Sequence, residues 1–133
     1  MTKVALMGAG GKMGLRLASN LMKSDHDVLH VEIDPAGQQR LKDETGIDCV
    51  GQGQALSNAE AVILAVPDRL IGKVLNGFID DLKPGTAVIM LDAAAPHAET
   101  LPKRADITYF VAHPCHPPLF NDETDPDLSL IHI

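Results

Sequence analysis

A chain of 133 residues is long enough for one folded domain, or for one domain and the stump of another, and too short for a second core. Its 45% hydrophobic against 22% charged residues exclude compositional disorder, and a net charge of -7 with one Tyr, three Phe and no Trp leaves no basic, aromatic-rich face for nucleic acid. The longest purely apolar run, residues 61–66, falls far short of the roughly 20 residues of a membrane helix, and residues 1–20 carry no charged-then-apolar leader, so a cytoplasmic chain with no membrane partner is expected.

In chain order, residues 4–7 read as a short strand that enters a glycine cluster, Gly8-Ala9-Gly10-Gly11-Lys12-Met13-Gly14, and then a helix with Met13, Leu17 and Leu21 on one stripe. Residues 28–33 read as a second strand ending in Asp34-Pro35, followed by a short polar helix over 38–44 that Gly46 closes. Residues 47–50 read as a third strand. Residues 61–66, bounded by Pro67, are too apolar for a half-exposed strand and suit a central parallel strand buried on both faces. From Arg69 to Leu82 apolar residues recur at helical spacing until Lys83-Pro84-Gly85 stops the helix. Residues 86–91 read as a fifth strand, 96–103 as a weaker helix, and 107–112 as a sixth strand ending in His113-Pro114.

Strands alternating with helices on short connections call for a Rossmann-like α/β fold, a doubly wound, mostly parallel sheet in a single domain. Ligands of such sheets sit beyond the carboxyl ends of the strands. The residues placed there are the glycine loop, Asp34, Val66-Pro67-Asp68, Asp92 and residues 113–118.

The glycine loop is a longer variant of G-x-G-x-x-G, with Gly8, Gly11 and Gly14 in regular spacing and Gly10 added. Gly8 permits the tight turn, Gly10 and Gly11 let backbone N–H groups approach a pyrophosphate, and Gly14 lets the helix pack closely. Asp34, 20 positions after Gly14, is expected to accept from the adenosine ribose hydroxyls and to repel a 2′-phosphate, with no Arg or Lys following until Arg40. NAD is therefore expected over NADP. Asp34 before Pro35 also reads as a helix N-cap, and the two roles can coexist. Glu32 falls inside the expected strand and reads as solvated or at an edge. Val66-Pro67-Asp68 makes a rigid, donor-poor turn toward the nicotinamide half, with Asp68 alternatively the cap of the helix that follows.

His113-Pro114-Cys115-His116-Pro117-Pro118 combines two imidazoles and a thiol with prolines that fix the backbone. Oxidising an alcohol with a nicotinamide requires removal of a hydroxyl proton, which suits His113 as base and His116 as a second candidate. His116 could instead ligate a divalent metal, although Cys115, Asp122 and Glu123 complete no ligand set within the chain. Cys115 reads as a small buried thiol, and His26, His30 and His97 as surface or packing residues. Two cysteines, Cys49 and Cys115, make no disulfide framework and agree with a reducing compartment.

The segments GAGGKMG, VEIDPAGQQRL, AEAVILAVPD, PGTAVIMLDAAAPHA and YFVAHPCHPPLFNDET together resemble the amino-terminal domain of the D-apionate oxidoisomerases, within the 6-phosphogluconate dehydrogenase-like group of nicotinamide enzymes. The glycine loop and AVILAVPD are shared across that group, while DAAAP and HPCHPP are distinctive. The resemblance implies NAD-dependent oxidation of a small sugar acid, D-apionate, with rearrangement to 3-oxo-isoapionate. It places Gly10, Gly11, Lys12, Met13, Asp34 and Asp68 at the cofactor, and His113 and His116 near the substrate, with His116 a metal ligand. It also implies a helical carboxyl-terminal domain and a homodimer in the full-length protein, so this chain alone is not expected to turn over. The alternatives are a stand-alone NAD-binding sensor module, or a fragment of a prephenate dehydrogenase-like or dihydrodipicolinate reductase-like enzyme. Residues 128–133 can be encoded by CTGTCTCTTATACACATC, which resembles a transposon adapter end used in sequencing libraries. The expected organisation is a dinucleotide-binding domain over 1–127 and a non-native tail over 128–133.

Overall fold

The computed structural model describes residues 2–91 and 104–112. The elements are β1 (Lys3–Met7), α1 (Lys12–Leu21), β2 (Asp27–Val31), α2 (Pro35–Thr45), α3 (Gln52–Ser57), β3 (Ala61–Leu64), α4 (Asp68–Phe78) with a 3-10 turn over Ile79–Asp81, β4 (Ala87–Met90) and β5 (Thr108–Val111). The five strands form one sheet in the order β2-β1-β3-β4-β5, every pair parallel. This is the Rossmann-like arrangement expected from the alternating pattern.

Alternation along β1 divides the core. Leu6 packs with Ala18 of α1 and Leu41 of α2 on one face, while Ala5 and Met7 pack with Leu56 of α3 and with Leu75 and Phe78 of α4 on the other. Winding therefore reverses between β1 and β3, opening a crevice at their carboxyl ends. β3 sits mid-sheet with Val62 and Leu64 fully buried on one face, while Ala61 and Ile63 on the other are half-buried, so the expected burial on both faces is complete on one.

Residues 47–50 are not a strand. They run along the outer edge of β2 with Val50 N–H donating to the His30 carbonyl at 2.9 Å, and carry the chain from the α2 face to the α3 face. A single ladder bond covers a sheet edge without extending the sheet. The sequence does not announce the short helix α3: Gln-Gly-Gln-Ala-Leu-Ser is six residues with a glycine inside, too short to be stable by itself, and Ala55 and Leu56, buried against the sheet, hold it in place. β2 ends at Val31 rather than at residue 33, and α4 begins at Asp68 with Pro67 in the N-cap position, so Asp68 is the first helical residue and not the cap.

α2 begins three residues earlier than the expected 38–44 because Asp34 caps it, accepting from Ala36 N–H at 3.2 Å, with Pro35 at the first helical position. Gly46 ends it in a left-handed conformation at φ 74°, its N–H bonded to the Lys42 carbonyl at 2.8 Å. Beyond α4, Arg104 Nη1 donates to the carbonyls of Ile79 at 2.6 Å and Leu82 at 2.8 Å, and Arg104 also pairs with Asp106. Asp92, the expected helix over 96–103, the 113–118 stretch and the 128–133 tail lie outside the described residues. Among the described residues no helix is long and apolar enough to cross a membrane.

Candidate functional site

The carboxyl ends of β1, β2 and β3 converge on one turn. Gly8 and Ala9 both donate their N–H groups to the Val31 carbonyl, at 2.9 and 3.1 Å, and Ala65 N–H donates to the Met7 carbonyl at 2.9 Å. Gly8 takes φ 76°, a left-handed conformation that favours glycine. A β-carbon there would also stand 2.5 Å from the Ala65 carbonyl oxygen. Gly14 must be glycine because a β-carbon would lie 2.0 Å from the Gly8 carbonyl oxygen, so α1 presses directly on the turn.

α1 opens at Gly11, which is extended and offers no side-chain cap. The first helical N–H groups have no partner within the helix, and their dipoles add to a positive end there. Next to them is a groove of about 480 Å³, lined by Gly8, Gly11, Glu32, Ile33, Val66 and Pro67, with Leu70 and Val74 of α4 forming its far wall. That volume is within the common range for small-ligand clefts, and the groove occupies the crevice where the winding reverses. Ile33 is 86% exposed, an apolar lip on the groove.

Of the residues the sequence singled out, Gly8, Gly11, Val66 and Pro67 line the groove. Gly10 does not. A β-carbon on Gly10 would stand 2.3 Å from the Gly37 carbonyl oxygen, so its missing side chain is required for packing between the loop and α2. Its N–H donates to Glu32 Oε2 at 3.3 Å and its carbonyl accepts from Arg40 Nη1 at 2.7 Å. Lys12 is exposed and borders a separate, shallow cleft between α1 and α2, shared with Arg16 and Arg40. Met13 is half-buried in α1, and Asp34 is at the N-cap of α2, outside the groove lining.

Glu32 is the residue that sequence reasoning misplaced. It is neither within the strand nor at a solvated edge; it follows the last residue of β2, is half-buried, and lines the groove. The available signal was its position two residues before the Asp34-Pro35 cap, since a helix that starts at Pro35 leaves room for only a short connection after the strand. Cys49 is close by, and burial, then the Glu32 charge, pushes its thiol up, so it is protonated and unreactive near neutral pH. His30, opposite Leu6 in the sheet register, is buried with no hydrogen-bond partner for Nε2 among the described residues, and burial lowers its pKa. It is a neutral packing residue, as expected. No three His, Cys, Asp or Glu side chains cluster as a metal site among the described residues. His113, Cys115, His116, Asp122 and Glu123 lie outside them.

Residues 3–96 match the family model described as NADP oxidoreductase, coenzyme F420-dependent. A D-apionate oxidoisomerase of Cupriavidus necator is 62% identical over 125 residues, covering 94% of this chain and 45% of that protein. Its counterpart in Rhizobium rhizogenes is 63% identical over 125 residues, covering 94% of this chain and 46% of that protein. A crystal structure described as a semialdehyde dehydrogenase NAD-binding protein from Cupriavidus necator, in complex with calcium and NAD, is similar at TM-score 0.87 and 61% identity, over 96% of this chain and 46% of that one. The chain thus spans a little under half the length of these relatives.

Proposed function

The chain belongs to the NADP oxidoreductase, coenzyme F420-dependent family, and from that premise we propose that residues 1–127 are the NAD-binding domain of a cytoplasmic oxidoreductase that acts on a hydroxyl of a small sugar acid, in the manner of the D-apionate oxidoisomerases. The observation that carries this reading is the groove at the β1–β3 reversal, with the uncapped start of α1 on one side and the Glu32 carboxylate on the other. The similar Cupriavidus necator protein in complex with NAD supports the choice of cofactor.

The residues fit a dinucleotide in three respects. Gly8 and Gly11 line the phosphate end with backbone, where a side chain would otherwise project. The N–H groups of Lys12 and Met13 sit in the first turn of α1, where an anion is stabilised. Glu32 lines the groove and supplies acceptors for the adenosine ribose hydroxyls, the role expected of Asp34, which caps α2 outside the groove lining. A carboxylate at that point repels a 2′-phosphate, so NAD is favoured although the family's description names NADP. Val66 and Pro67 offer apolar, donor-poor backbone toward the nicotinamide half, and Asp68 opens α4 beside it.

Bound NAD supplies the hydride acceptor. The remaining task falls on the chain: the substrate hydroxyl must lose its proton as the hydride leaves, and His113 is the group proposed to take it, with His116 a second proton-handling residue or a ligand to a divalent metal. A homodimer and a helical substrate domain complete the proposal for the full-length protein, with no nucleic acid or membrane partner. Calorimetric titration of the chain with NAD and with NADP tests it. Saturable binding with NAD tighter is expected; absence of binding by either overturns the cofactor site, and tighter NADP overturns the role given to Glu32.

A further inference from the structure

Arg40 of α2 and Gly10 of the loop are 30 residues apart in sequence, yet Arg40 Nη1 donates to the Gly10 carbonyl at 2.7 Å. On the other side of the same residue, Gly10 N–H donates to Glu32 Oε2 at 3.3 Å. The next amide, Gly11 N–H, turns back to the Gly8 carbonyl at 3.1 Å. The peptide joining Gly10 to Gly11 is therefore fixed at both its ends, its oxygen by Arg40 and its hydrogen by Gly8. Arg40 makes no ion pair among the described residues, so its charge is spent on this carbonyl.

Such a tether has a physical purpose in a loop of this composition. Four glycines in seven residues leave the chain free to adopt many backbone conformations. Several of these turn a carbonyl oxygen toward the groove, where its lone pairs repel an anion that the helix start would otherwise attract. A guanidinium on the carbonyl is a charge-assisted bond, stronger than one between neutral groups.

We propose that Arg40 is a positioning residue for dinucleotide binding: with Glu32 it grips both sides of Gly10 and pins the Gly10 carbonyl on the α2 side of the loop, outside the groove. This rests on the NAD-binding reading above. Arg40 itself does not line the groove and need not touch the ligand.

The test uses the whole chain and the variants R40M and R40K, titrated with NAD and with ADP-ribose at a temperature where circular dichroism shows each fully folded. Hydrogen exchange of the Gly10 amide is followed alongside by NMR. R40M is expected to lose about tenfold in affinity, equally for both ligands because the nicotinamide end is not involved, with faster exchange at Gly10 while the Ala5 and Leu6 amides keep their protection. R40K, which retains a charged donor, is expected to recover part of the loss. A merely structural role would lower the melting temperature and leave folded-state affinity and the Gly10 amide unchanged, and that result would overturn the proposal. If R40M does not fold, R40K with intact affinity but faster Gly10 exchange would equally overturn it. A wild-type chain that binds neither ligand would instead remove the NAD-binding reading on which the proposal stands.

Discussion

The backbone of Gly10 rests on that of Gly37, leaving 2.3 Å between the Gly37 carbonyl oxygen and the place where a β-carbon on Gly10 would be. Backbone cannot rotate out of the way, so G10A must separate the glycine loop from α2. A loss of about 1–3 kcal/mol is expected, read as a lower urea midpoint with unchanged m-value. In the reverse direction a β-carbon on Gly37 meets the Glu32 side chain, with Oε1 at 2.7 Å. That side chain can swing, so G37A should cost less stability than G10A and more NAD affinity. Equal affinity in G37A and wild type would show that the position of Glu32 is immaterial to binding.

Glu32 and Asp34 separate into two roles that substitution can tell apart. D34A removes the cap on Ala36 N–H and should cost about 1 kcal/mol of stability while leaving the NAD dissociation constant within twofold. E32Q keeps the shape and removes the charge; NAD should weaken several-fold and NADP should gain relative to it, measured by parallel calorimetric titrations. A D34A variant that lost NAD affinity as E32Q does would return the ribose role to Asp34.

Stability should fall on mild acidification because of His30. Burial lowers its pKa in the folded chain, so below about pH 6.5 the unfolded chain binds a proton that the folded chain resists. The folded state is thus at its full advantage above that pH and loses it as the pH drops toward the lowered folded value. H30L removes the unpartnered Nε2 together with the titration. Denaturant unfolding at pH 7.5 and pH 5.5 should show a smaller pH difference in H30L than in wild type, with stability at pH 7.5 equal or higher.

Arg104 holds the 3-10 turn after α4 to the start of the β5 segment through the Ile79 and Leu82 carbonyls. R104M leaves both carbonyls without their charged donor and should destabilise by about 1.5–3 kcal/mol in urea unfolding. R104K should not restore it, since one ammonium does not reproduce the guanidinium fork that reaches Asp106 as well.

The strands and the site's location were legible because buried parallel strands announce themselves as apolar runs and because glycine clusters have few other uses. What escaped was whatever depended on contacts distant in sequence. Gly10 looked like a residue that admits a phosphate, and its partner is Gly37, whose role no local pattern could indicate. Residues 47–50, Ile-Asp-Cys-Val, have strand chemistry, and only the path from the α2 face to the α3 face makes them an edge wrap. α3 is six residues long, too short to show a helical period or to stand by itself, and is held by the burial of Ala55 and Leu56. Glu32 was hidden because an acid beside an apolar run looks like the solvent side of a strand, and only the strand's end at Val31 moves it to the groove.

The strand order carries a consequence for synthesis of the chain. β1 is flanked by β2, which follows it through α1, and by β3, whose pairing partner for Val4 is Ala61. No strand in the sheet can close a hairpin with its neighbour, since every pair is parallel. On the ribosome the β1–α1–β2 unit therefore emerges with one flank of its innermost strand bare, and stays so until residues 61–64 have left the exit tunnel. For that interval the apolar β1 strand depends on whatever shields nascent chains.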